Sequence, residues 1–287
     1  MTISEADLIL TADGRIYHLN SLPEELAPTV ILVGDPNRVE KVSKHFDKIE
    51  VRLQNREMIT HSGWLGKHHL SVISTGMSTD NIDIVLNELD ALVNVDLKTR
   101  RVKEKLSALT FIRIGTSGAL QADTEVDSVV LSSRGIGFDN LLEYYRDSAA
   151  DVDKPVEAAL ADFFAAEGLH PYVASADKDL LAHYTPYVDG VGMTATCSGF
   201  YAPQGRRVRL VPRFTSFLDR LREFRYQDER VANFEMETAG IYGLSQLMGH
   251  RALSVNVIVA NRAKGTFSAD YAKTMDKTIE MVLERLP

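Results

Sequence analysis

An arginine inside an apolar run is the residue of this chain with the clearest chemical implication. Arg113 lies in residues 109–114, which are mostly β-branched or aromatic and predict a buried strand. A buried guanidinium needs an anion, because an unpaired charge is strongly unfavourable away from water. Residues 115–118 (Gly-Thr-Ser-Gly) predict a turn whose N–H groups and hydroxyls form a phosphate or oxyanion cradle. The alternative is an arginine paired with a structural carboxylate beside an ordinary glycine turn.

A second group of residues that suits an anion follows the predicted strand at 29–33. Gly34 lets a ligand approach the backbone where a helix begins, and the free N–H groups there favour negative charge. Arg38 lies within one turn of that point, and together with Arg56 and Arg113 it could neutralise a phosphate dianion. Taken singly, Arg38 also fits a solvent-facing position on a capped helix, and Arg56 fits a surface position in a hairpin.

Two carboxylates two positions apart, Glu235 and Glu237, begin a stretch that we predict to be helical. On a helix such residues point in different directions, so one can support the structure while the other binds a ligand. A carboxylate accepts hydrogen bonds well from vicinal hydroxyls such as those of ribose. The alternative is that the helix dipole alone favours glutamate in a first turn.

The segment from Phe200 to Arg206 combines an aromatic pair with two polar side chains. Phe200 and Tyr201 offer a stacking face, Gln204 can donate and accept, and Arg206 donates only. This set matches a flat heterocycle with adjacent carbonyl and N–H groups, such as the edge of uracil. The alternative is a loop of ordinary polar residues.

Other kinds of site are disfavoured by the sequence. His18 is a lone histidine of the sort that is usually structural or exposed, and no motif with metal-ligand spacing is present. The chain also lacks a Gly-x-Ser-x-Gly elbow and a phosphate loop with Gly-Lys-Ser/Thr. We therefore expect no metal and no cofactor.

Composition narrows the functional class further. A net charge of −8 argues against a nucleic-acid or anionic-membrane partner, although an arginine cluster can still bind a small anion. The single cysteine, Cys197, fits a reducing cytoplasm. No signal peptide or apolar run of membrane-spanning length is evident, so we expect a cytoplasmic protein.

Apolar periodicity predicts strands and helices that alternate along the whole chain. The predicted strands are 29–33, a hairpin of 49–62 and 69–74 with Gly63 and Gly66 in its bend, 109–114, 126–131, 191–196 and 253–259. The first predicted helix begins at Asp35-Pro36. The other predicted helices cover 79–93, 154–167, 213–225, 234–248 and a C-terminal stretch capped near Ser268. The basic run 98–105 predicts a solvated face.

This alternation, without a linker-like composition, predicts one α/β domain over residues 1–287. The expected architecture is a central mixed sheet flanked by helices. In such folds ligands collect at the carboxyl ends of strands, which is where the segments described above are predicted to lie.

Taken in order, these segments resemble the nucleoside phosphorylase family, and within it the uridine phosphorylases. Each motif is weak alone, but the ordered set spans residues 17–262. The matching segments are Tyr17-His18-Leu19, Val33-Gly34-Asp35-Pro36 with Arg38-Val39, Arg56-Glu57, Ser74-Thr75-Gly76, Arg113 to Gly118, Phe200-Tyr201 with Gln204 and Arg206, Glu235-Met236-Glu237 and Asn261-Arg262.

The resemblance implies a nucleoside phosphorylase-like fold and a pentosyltransferase of pyrimidine salvage. The implied reaction is phosphorolysis of uridine to uracil and ribose 1-phosphate, with inorganic phosphate as co-substrate. It also implies a homo-oligomer whose active site is shared between subunits.

The resemblance assigns roles to matched positions, three of which (Arg113, Gln204 and Arg206) are the implied catalytic residues. The phosphate-binding set is Gly34, Arg38, Arg113 and Thr116, with Arg56 reaching over from a neighbouring subunit. The ribose-binding set is Thr116, Met236 and Glu237, with His18 from the neighbour near the 5′-hydroxyl. The base-binding set is Ser117, Gly118, Phe200, Gln204 and Arg206.

Departures from the family pattern define the alternatives. Purine-specific relatives carry an aspartate after the strand that here ends in Asn261-Arg262, so the resemblance favours a pyrimidine. Some bacterial relatives place a monovalent cation between subunits with a Glu and a Ser; Glu57 matches the first, but Asn81 replaces the second. Residues 94–107 resemble an insertion that affects assembly. The alternatives are a purine nucleoside phosphorylase, a hydrolytic nucleosidase on the same fold, and a non-catalytic nucleoside-binding protein.

Overall fold

One large mixed sheet positions all the segments singled out above. The computed structural model describes residues 2–146 and 153–287, and in these ranges the chain forms fourteen strands and seven α-helices. The strands are β1 (Thr29–Val33), β2 (Lys48–Asn55), β3 (Met58–Leu65), β4 (His68–Ser74), β5 (Val95–Asp96), β6 (Arg101–Val102), β7 (Thr110–Ala119), β8 (Val129–Gly137), β9 (Tyr172–Ser175), β10 (Gly190–Thr196), β11 (Arg225–Tyr226), β12 (Glu229–Glu235), β13 (Arg251–Asn261) and β14 (Thr266–Phe267). The helices are α1 (Asn37–Ser43), α2 (Thr79–Asn94), α3 (Lys154–Phe163), α4 (Lys178–Tyr184), α5 (Phe217–Glu223), α6 (Thr238–Met248) and α7 (Tyr271–Glu284).

The strand order is β2-β3-β4-β1-β7-β13-β8-β10-β12-β11. Strands β4, β1, β7 and β13 run parallel, whereas β13 and β8 are antiparallel. The end of β12 returns to the end of β7, where Asn233 pairs with Ala119 and Phe234 pairs with Gly118. Strands β7, β13, β8, β10 and β12 therefore close into a ring, which we call the five-strand ring.

Alternating side chains of the central strands supply a core on each face of the sheet. Val30 and Leu32 of β1 pack with α2 and α6, whereas Ile31 and Val33 pack with α1 and α7. A third cluster, rich in phenylalanine, joins α3 and α5 to the five-strand ring. No helix in the described ranges is long and apolar enough to cross a membrane.

The α/β architecture predicted from the sequence is confirmed. The strand at 29–33 and the helix near 79–93 lie where the periodicity predicts them, and Gly249 ends α6 with positive φ. Helix α3 stops at Phe163, and Gly168, also with positive φ, ends the short 3₁₀ helix Ala165–Glu167 that follows it. In the basic run 98–105, every residue except Arg100 is exposed, as predicted.

The predicted turn at residues 115–118 is wrong. These residues belong to β7, which pairs with β13 along its whole length and so stays extended. The predicted hairpin is also wrong in detail, since β2, β3 and β4 form a three-stranded meander. Gly66 lies in the bend between β3 and β4 as predicted, whereas Gly63 lies within β3. A Cβ at Gly63 would come within 2.0 Å of the Lys48 carbonyl oxygen, so the close approach of β2 requires glycine there.

The helix predicted at 234–248 begins later than expected. Strand β12 continues to Glu235 because it pairs with both β10 and β7, and α6 begins at Thr238. Helix α5 covers only part of 213–225, and α1 begins at Asn37 rather than at the Asp35-Pro36 pair. Strand β9 and helix α4 were not predicted, because their short segments carry too little periodicity.

Candidate functional site

A cavity of about 830 Å³ opens where the carboxyl ends of β1, β7 and β12 meet. Its walls come from the segment after β1, the second half of β7, the end of β12 and the loop after β10. Of the residues to which the resemblance assigns a role, those that line it are Gly34, Arg38, Arg113, Thr116, Ser117, Gly118, Phe200, Gln204, Arg206, Met236 and Glu237. The fold thus brings together side chains from segments up to 203 positions apart, Gly34 to Glu237.

Arg113 is buried in the wall of this cavity and is held by three partners. Its Nη1 donates to Asn256 Oδ1 at 2.9 Å, and its Nη2 donates to Glu237 Oε2 at 2.5 Å. The same Nη2 lies 3.2 Å from Glu235 Oε2. Burial alone would lower the pKa of Arg113, but the charges of Glu235 and Glu237 outweigh it and raise that pKa. The guanidinium is therefore a fixed cation at the cavity wall.

The glycine at position 115 makes room for this arginine. A Cβ at Gly115 would lie 1.8 Å from Arg113 Nη1, in the space that the guanidinium occupies. The small residues that predicted a turn are needed here for packing within a strand.

Glu235 and Glu237 have different surroundings, although both contact Arg113. Glu235 accepts from the Thr196 hydroxyl at 2.7 Å and from the backbone N–H groups of Glu237 and Thr238, each at 2.9 Å, so its oxygens are occupied. Burial raises the pKa of Glu235, and the charge of Arg113 opposes this effect. Glu237 accepts from the Ser78 backbone N–H at 2.8 Å through its other oxygen. Glu235 supports the site, while Glu237 is the carboxylate with fewer protein donors.

Arg38 approaches from the first turn of α1. Its Nη1 donates to the Ile114 carbonyl at 3.1 Å, and its side chain is buried next to Arg113. Burial lowers the pKa of Arg38, and the charge of Arg113 lowers it further. Two guanidinium groups that repel each other across a cavity make a favourable place for an anion.

The other part of the cavity lies around Phe234, whose β7 partner is Gly118. This is four residues beyond Ile114, or about 13 Å along the strand. Arg206 lies 3.6 Å from the centre of the Phe200 ring and 5.5 Å from that of Phe234. Its Nη1 donates to Gln204 Oε1 at 2.5 Å and to the Phe200 carbonyl at 2.6 Å.

Two positively charged side chains, Arg206 and Arg262, lie close together in this part of the cavity. Arg262 lies 5.6 Å from the Phe234 ring, on which Arg206 also packs, and donates to the Gln204 carbonyl at 3.3 Å. Burial lowers the pKa of Arg206 to about 10, and the charge of Arg262 contributes in the same direction. This part of the cavity therefore favours a ligand that carries or develops negative charge.

His18 and Arg56 do not line the cavity of their own chain. They lie together on its surface: Asn55 Nδ2 donates to the His18 carbonyl at 2.9 Å, and the Arg56 guanidinium lies 6.0 Å from the Tyr17 ring. His18 Nδ1 is 2.6 Å from Glu88 Oε1. The next residue after Arg56, Glu57, does line the cavity, so this surface borders its mouth. We call Tyr17, His18, Asn55 and Arg56 the rim patch.

The two residues considered for a cation contact each other. Asn81 Nδ2 donates to Glu57 Oε1 at 3.4 Å, so an amide N–H group faces the carboxylate. In the described parts of the chain, no group of three or more His, Cys, Asp or Glu side chains is placed to hold a metal ion.

The sequence interpretation gave no role to two residues that the structure places at the site. Asn256 binds Arg113, and its only signal is the pair of polar residues Ser254 and Asn256 at alternate positions in an otherwise apolar strand. Arg262 was noted only as part of a motif. Asn261 beside it is buried and uses its amide on the carbonyls of Gln121 and Thr124.

The known proteins to which this chain is similar are phosphorylases. A family model described as "Phosphorylase superfamily" matches residues 28–286. The uridine phosphorylase of Thermococcus kodakarensis is 32% identical over 90% of this chain and 81% of its own length. A DeoD-type purine nucleoside phosphorylase of Listeria welshimeri is 28% identical over 93% of this chain and 97% of its own. The crystal structure of a Trypanosoma brucei nucleoside phosphorylase, described as showing uridine phosphorylase activity, is 29% identical and covers 98% of this chain and 99% of its own, with a TM-score of 0.87.

Proposed function

The chain belongs to the phosphorylase superfamily, and we propose that it catalyses the phosphorolysis of uridine to uracil and ribose 1-phosphate. The observation that carries this proposal is a single cavity with buried arginines Arg38 and Arg113 at one end and the Gln204–Arg206 pair at the other. The similarity to uridine phosphorylases over most of the chain supports the same assignment.

The phosphate would bind between Arg38 and Arg113, beside Gly34 and Thr116. Guanidinium groups offer paired donors that match phosphate oxygens and fix the orientation of the anion. Holding the nucleophile in place reduces the entropic cost of a reaction between two substrates. Glu237 and Met236 would hold the ribose, with the carboxylate accepting from its hydroxyls.

In the chemical step, a phosphate oxygen attacks C1′ while the bond from C1′ to N1 of the base breaks. The transition state is expected to resemble an oxocarbenium ion, as in other glycosyl transfers. Negative charge then develops on the departing uracil, chiefly on its oxygens. Arg206 and Gln204, with Arg262 near by, would stabilise this charge, an effect commonly worth about 3–4 kcal/mol per donor. Ser117, Gly118 and Phe200 would complete the base site.

This mechanism needs no general acid. Glu235 is the carboxyl in the cavity with a raised pKa, yet its oxygens already accept from Thr196 and from backbone N–H groups. It therefore serves to orient Arg113 and the start of α6, and proton transfer to the leaving group is not required of it.

The reaction and the base preference are tested together by measuring base release from uridine, thymidine and inosine, with and without inorganic phosphate. We expect uracil release from uridine only when phosphate is present, together with ribose 1-phosphate as product. Release that does not depend on phosphate would indicate a hydrolytic nucleosidase. A preference for inosine would indicate a purine nucleoside phosphorylase, and no turnover would indicate a binding protein.

We also propose that two subunits share each active site, with His18 and Arg56 acting in the cavity of the partner. In the rim patch Tyr17 and Arg56 are exposed and His18 and Asn55 are half-buried, and the patch borders the cavity mouth without lining the cavity of its own chain. In a two-fold dimer the same patch of each chain would meet the mouth of the other.

Complementation tests this arrangement. Arg56→Ala chains and Glu237→Ala chains, each inactive alone, are co-expressed with different tags and purified as mixed assemblies. One site of each mixed dimer then has an intact cavity and an intact partner arginine, so roughly half of the wild-type activity should return. If Arg56 acted in its own cavity, the mixed assemblies would stay inactive.

The cysteine content and the reaction fit a cytoplasmic location.

A further inference from the structure

A continuous line of buried side chains passes through every strand of the five-strand ring. Arg113 Nη1 donates to Asn256 Oδ1 at 2.9 Å, and Asn256 Nδ2 donates to Ser132 Oγ at 3.0 Å. Ser132 Oγ lies 2.5 Å from Thr194 Oγ1, which donates to Asn233 Oδ1 at 2.6 Å. Asn233 Nδ2 then donates to Ser117 Oγ at 2.8 Å. Both ends of the line, Arg113 and Ser117, are in the cavity wall.

The direction of this line follows from its first member. A guanidinium only donates, so Asn256 turns its oxygen to Arg113 and its NH₂ group to Ser132. Thr194 uses its single hydrogen on Asn233, so Ser132 must be the donor in the contact between the two hydroxyls. The four middle residues are fully buried, which leaves no water to reverse the order.

The order of donors and acceptors along the line determines what the Ser117 hydroxyl offers to the cavity. Its oxygen accepts from Asn233, and within the described residues no protein group accepts its hydroxyl hydrogen. Ser117 is next to Gly118, the strand partner of Phe234, so it lies at the end of the cavity where Arg206 and Arg262 pack.

We propose that Asn256, Ser132, Thr194 and Asn233 are positioning residues that hold the Ser117 hydroxyl as a hydrogen-bond donor toward a carbonyl oxygen of the nucleoside base. This inference rests on the proposed phosphorolysis and adds a residue, Ser117, that would help to select the base. The line begins at Arg113, to which phosphate binding is assigned. The residue that holds the phosphate therefore also determines that the Ser117 hydroxyl donates a hydrogen bond to the base rather than accepting one from it. We call these residues, with Arg113 and Ser117, the relay.

The sharpest test compares Thr194→Val with Thr194→Ser. Valine removes the hydrogen that Asn233 Oδ1 accepts, so the Asn233 amide is free to rotate and take the hydrogen of Ser117. The cavity then meets an oxygen lone pair instead of a donor. We expect kcat/KM for uridine to fall about tenfold in Thr194→Val, and Thr194→Ser, which retains the hydroxyl, to restore most of it.

A double-mutant cycle separates this role from simple damage to the core. If Thr194 acts through Ser117, adding Thr194→Val to Ser117→Ala should change kcat/KM by less than about twofold. Losses that multiply in the double variant would overturn the relay. Ser62→Ala is the matched control, since Ser62 and Ser71 form a buried hydroxyl pair at 2.7 Å away from the cavity. It should lower stability without lowering kcat/KM.

Asn233→Asp provides a second route if Thr194→Val does not fold. Its carboxylate accepts from Ser117 and so reverses that hydroxyl, and the same cycle with Ser117→Ala applies. If wild-type protein releases no uracil from uridine and phosphate, the proposed function fails and the relay fails with it. If wild type is active while Thr194→Val equals Thr194→Ser, or while the losses multiply in whichever cycle is measured, only the relay fails.

Discussion

The two ends of the cavity are built in different ways. At the arginine end, Arg113 and Glu237 are buried and bound to residues of β12, β13 and the start of α2. At the base end, Phe200 is 50% exposed, and Arg206 binds Phe200 and Gln204 of its own loop. One end is held by paired strands, and the other is carried by a loop.

This difference indicates how each end meets its ligand. The arginine end is preorganised, because moving Arg113 would take the neighbouring cation from two buried carboxylates and the donor from the Asn256 amide oxygen. At the base end, Gln204 Oε1 and Arg206 Nη1 bind each other on a loop, so each side chain would meet a base with part of its hydrogen-bonding capacity already used. We therefore expect binding to change the loop after β10 more than it changes the strands.

Arg113→Met should give the largest effect and tests the arginine end. Removal of the cation leaves Glu235 and Glu237 as uncompensated buried charges, so the free energy of unfolding should fall by about 3–5 kcal/mol. Turnover of uridine should fall at least about 10³-fold. Denaturant unfolding and phosphate-dependent uracil release measure the two losses. A stable Arg113→Met protein would show that this end is not organised around the arginine.

Arg206→Met tests the base end, where activity and stability should separate. We expect kcat/KM for uridine to fall about 10²-fold, with Gln204→Ala similarly impaired. Stability should not fall, because burial disfavours the charged form of Arg206. Arg207→Met, at the exposed neighbouring arginine, is the control and should keep wild-type turnover. If Arg206→Met lowered the free energy of unfolding as much as Arg113→Met does, the proposed difference between the two ends of the cavity would be wrong.

Gly115→Ala asks how tightly the arginine end is packed. The new methyl group would collide with the Arg113 guanidinium, which its three partners hold in place. Overpacking of this kind costs about 1–3 kcal/mol, and uridine turnover should fall with it. Gly190→Ala is the matched control, because its Cβ would meet only Val130 at an ordinary 3.9 Å. Equal stability of the two variants in thermal unfolding would contradict a fixed position for Arg113.

The smallest expected effect is a pH dependence of stability at the base end. The pKa of Arg206 is lowered to about 10 by burial and by Arg262, whereas the unfolded chain keeps an ordinary arginine. Below pH 10 the folded protein carries a disfavoured charge, and above it the folded state releases that proton before the unfolded state does. Wild type should therefore gain stability relative to Arg206→Met as pH rises through 10, by less than about 1 kcal/mol. A difference in unfolding free energy that stays constant from pH 8 to 11 would count against this.

The errors made from the sequence share a physical cause. Gly115 to Gly118 resemble a turn because small residues are common in turns, but here they leave room for Arg113 and Phe234 inside a strand. The segment around Glu235 resembles the first turn of a helix, yet β12 extends to Glu235 because β12 pairs with both β10 and β7. In both places a neighbour distant in sequence overrode the local preference.

The sequence by itself determined the alternation of strands and helices, the need of Arg113 for an anion, and the ordered motifs that resemble nucleoside phosphorylases. These follow from local apolar periodicity and from the chemistry of single side chains. Only the tertiary structure decided that Asn256 holds Arg113 and that Arg262 faces the base end with Arg206. Such relations depend on strand order and on the closure of the five-strand ring, and contacts between residues this far apart in the sequence leave no periodic trace in the chain.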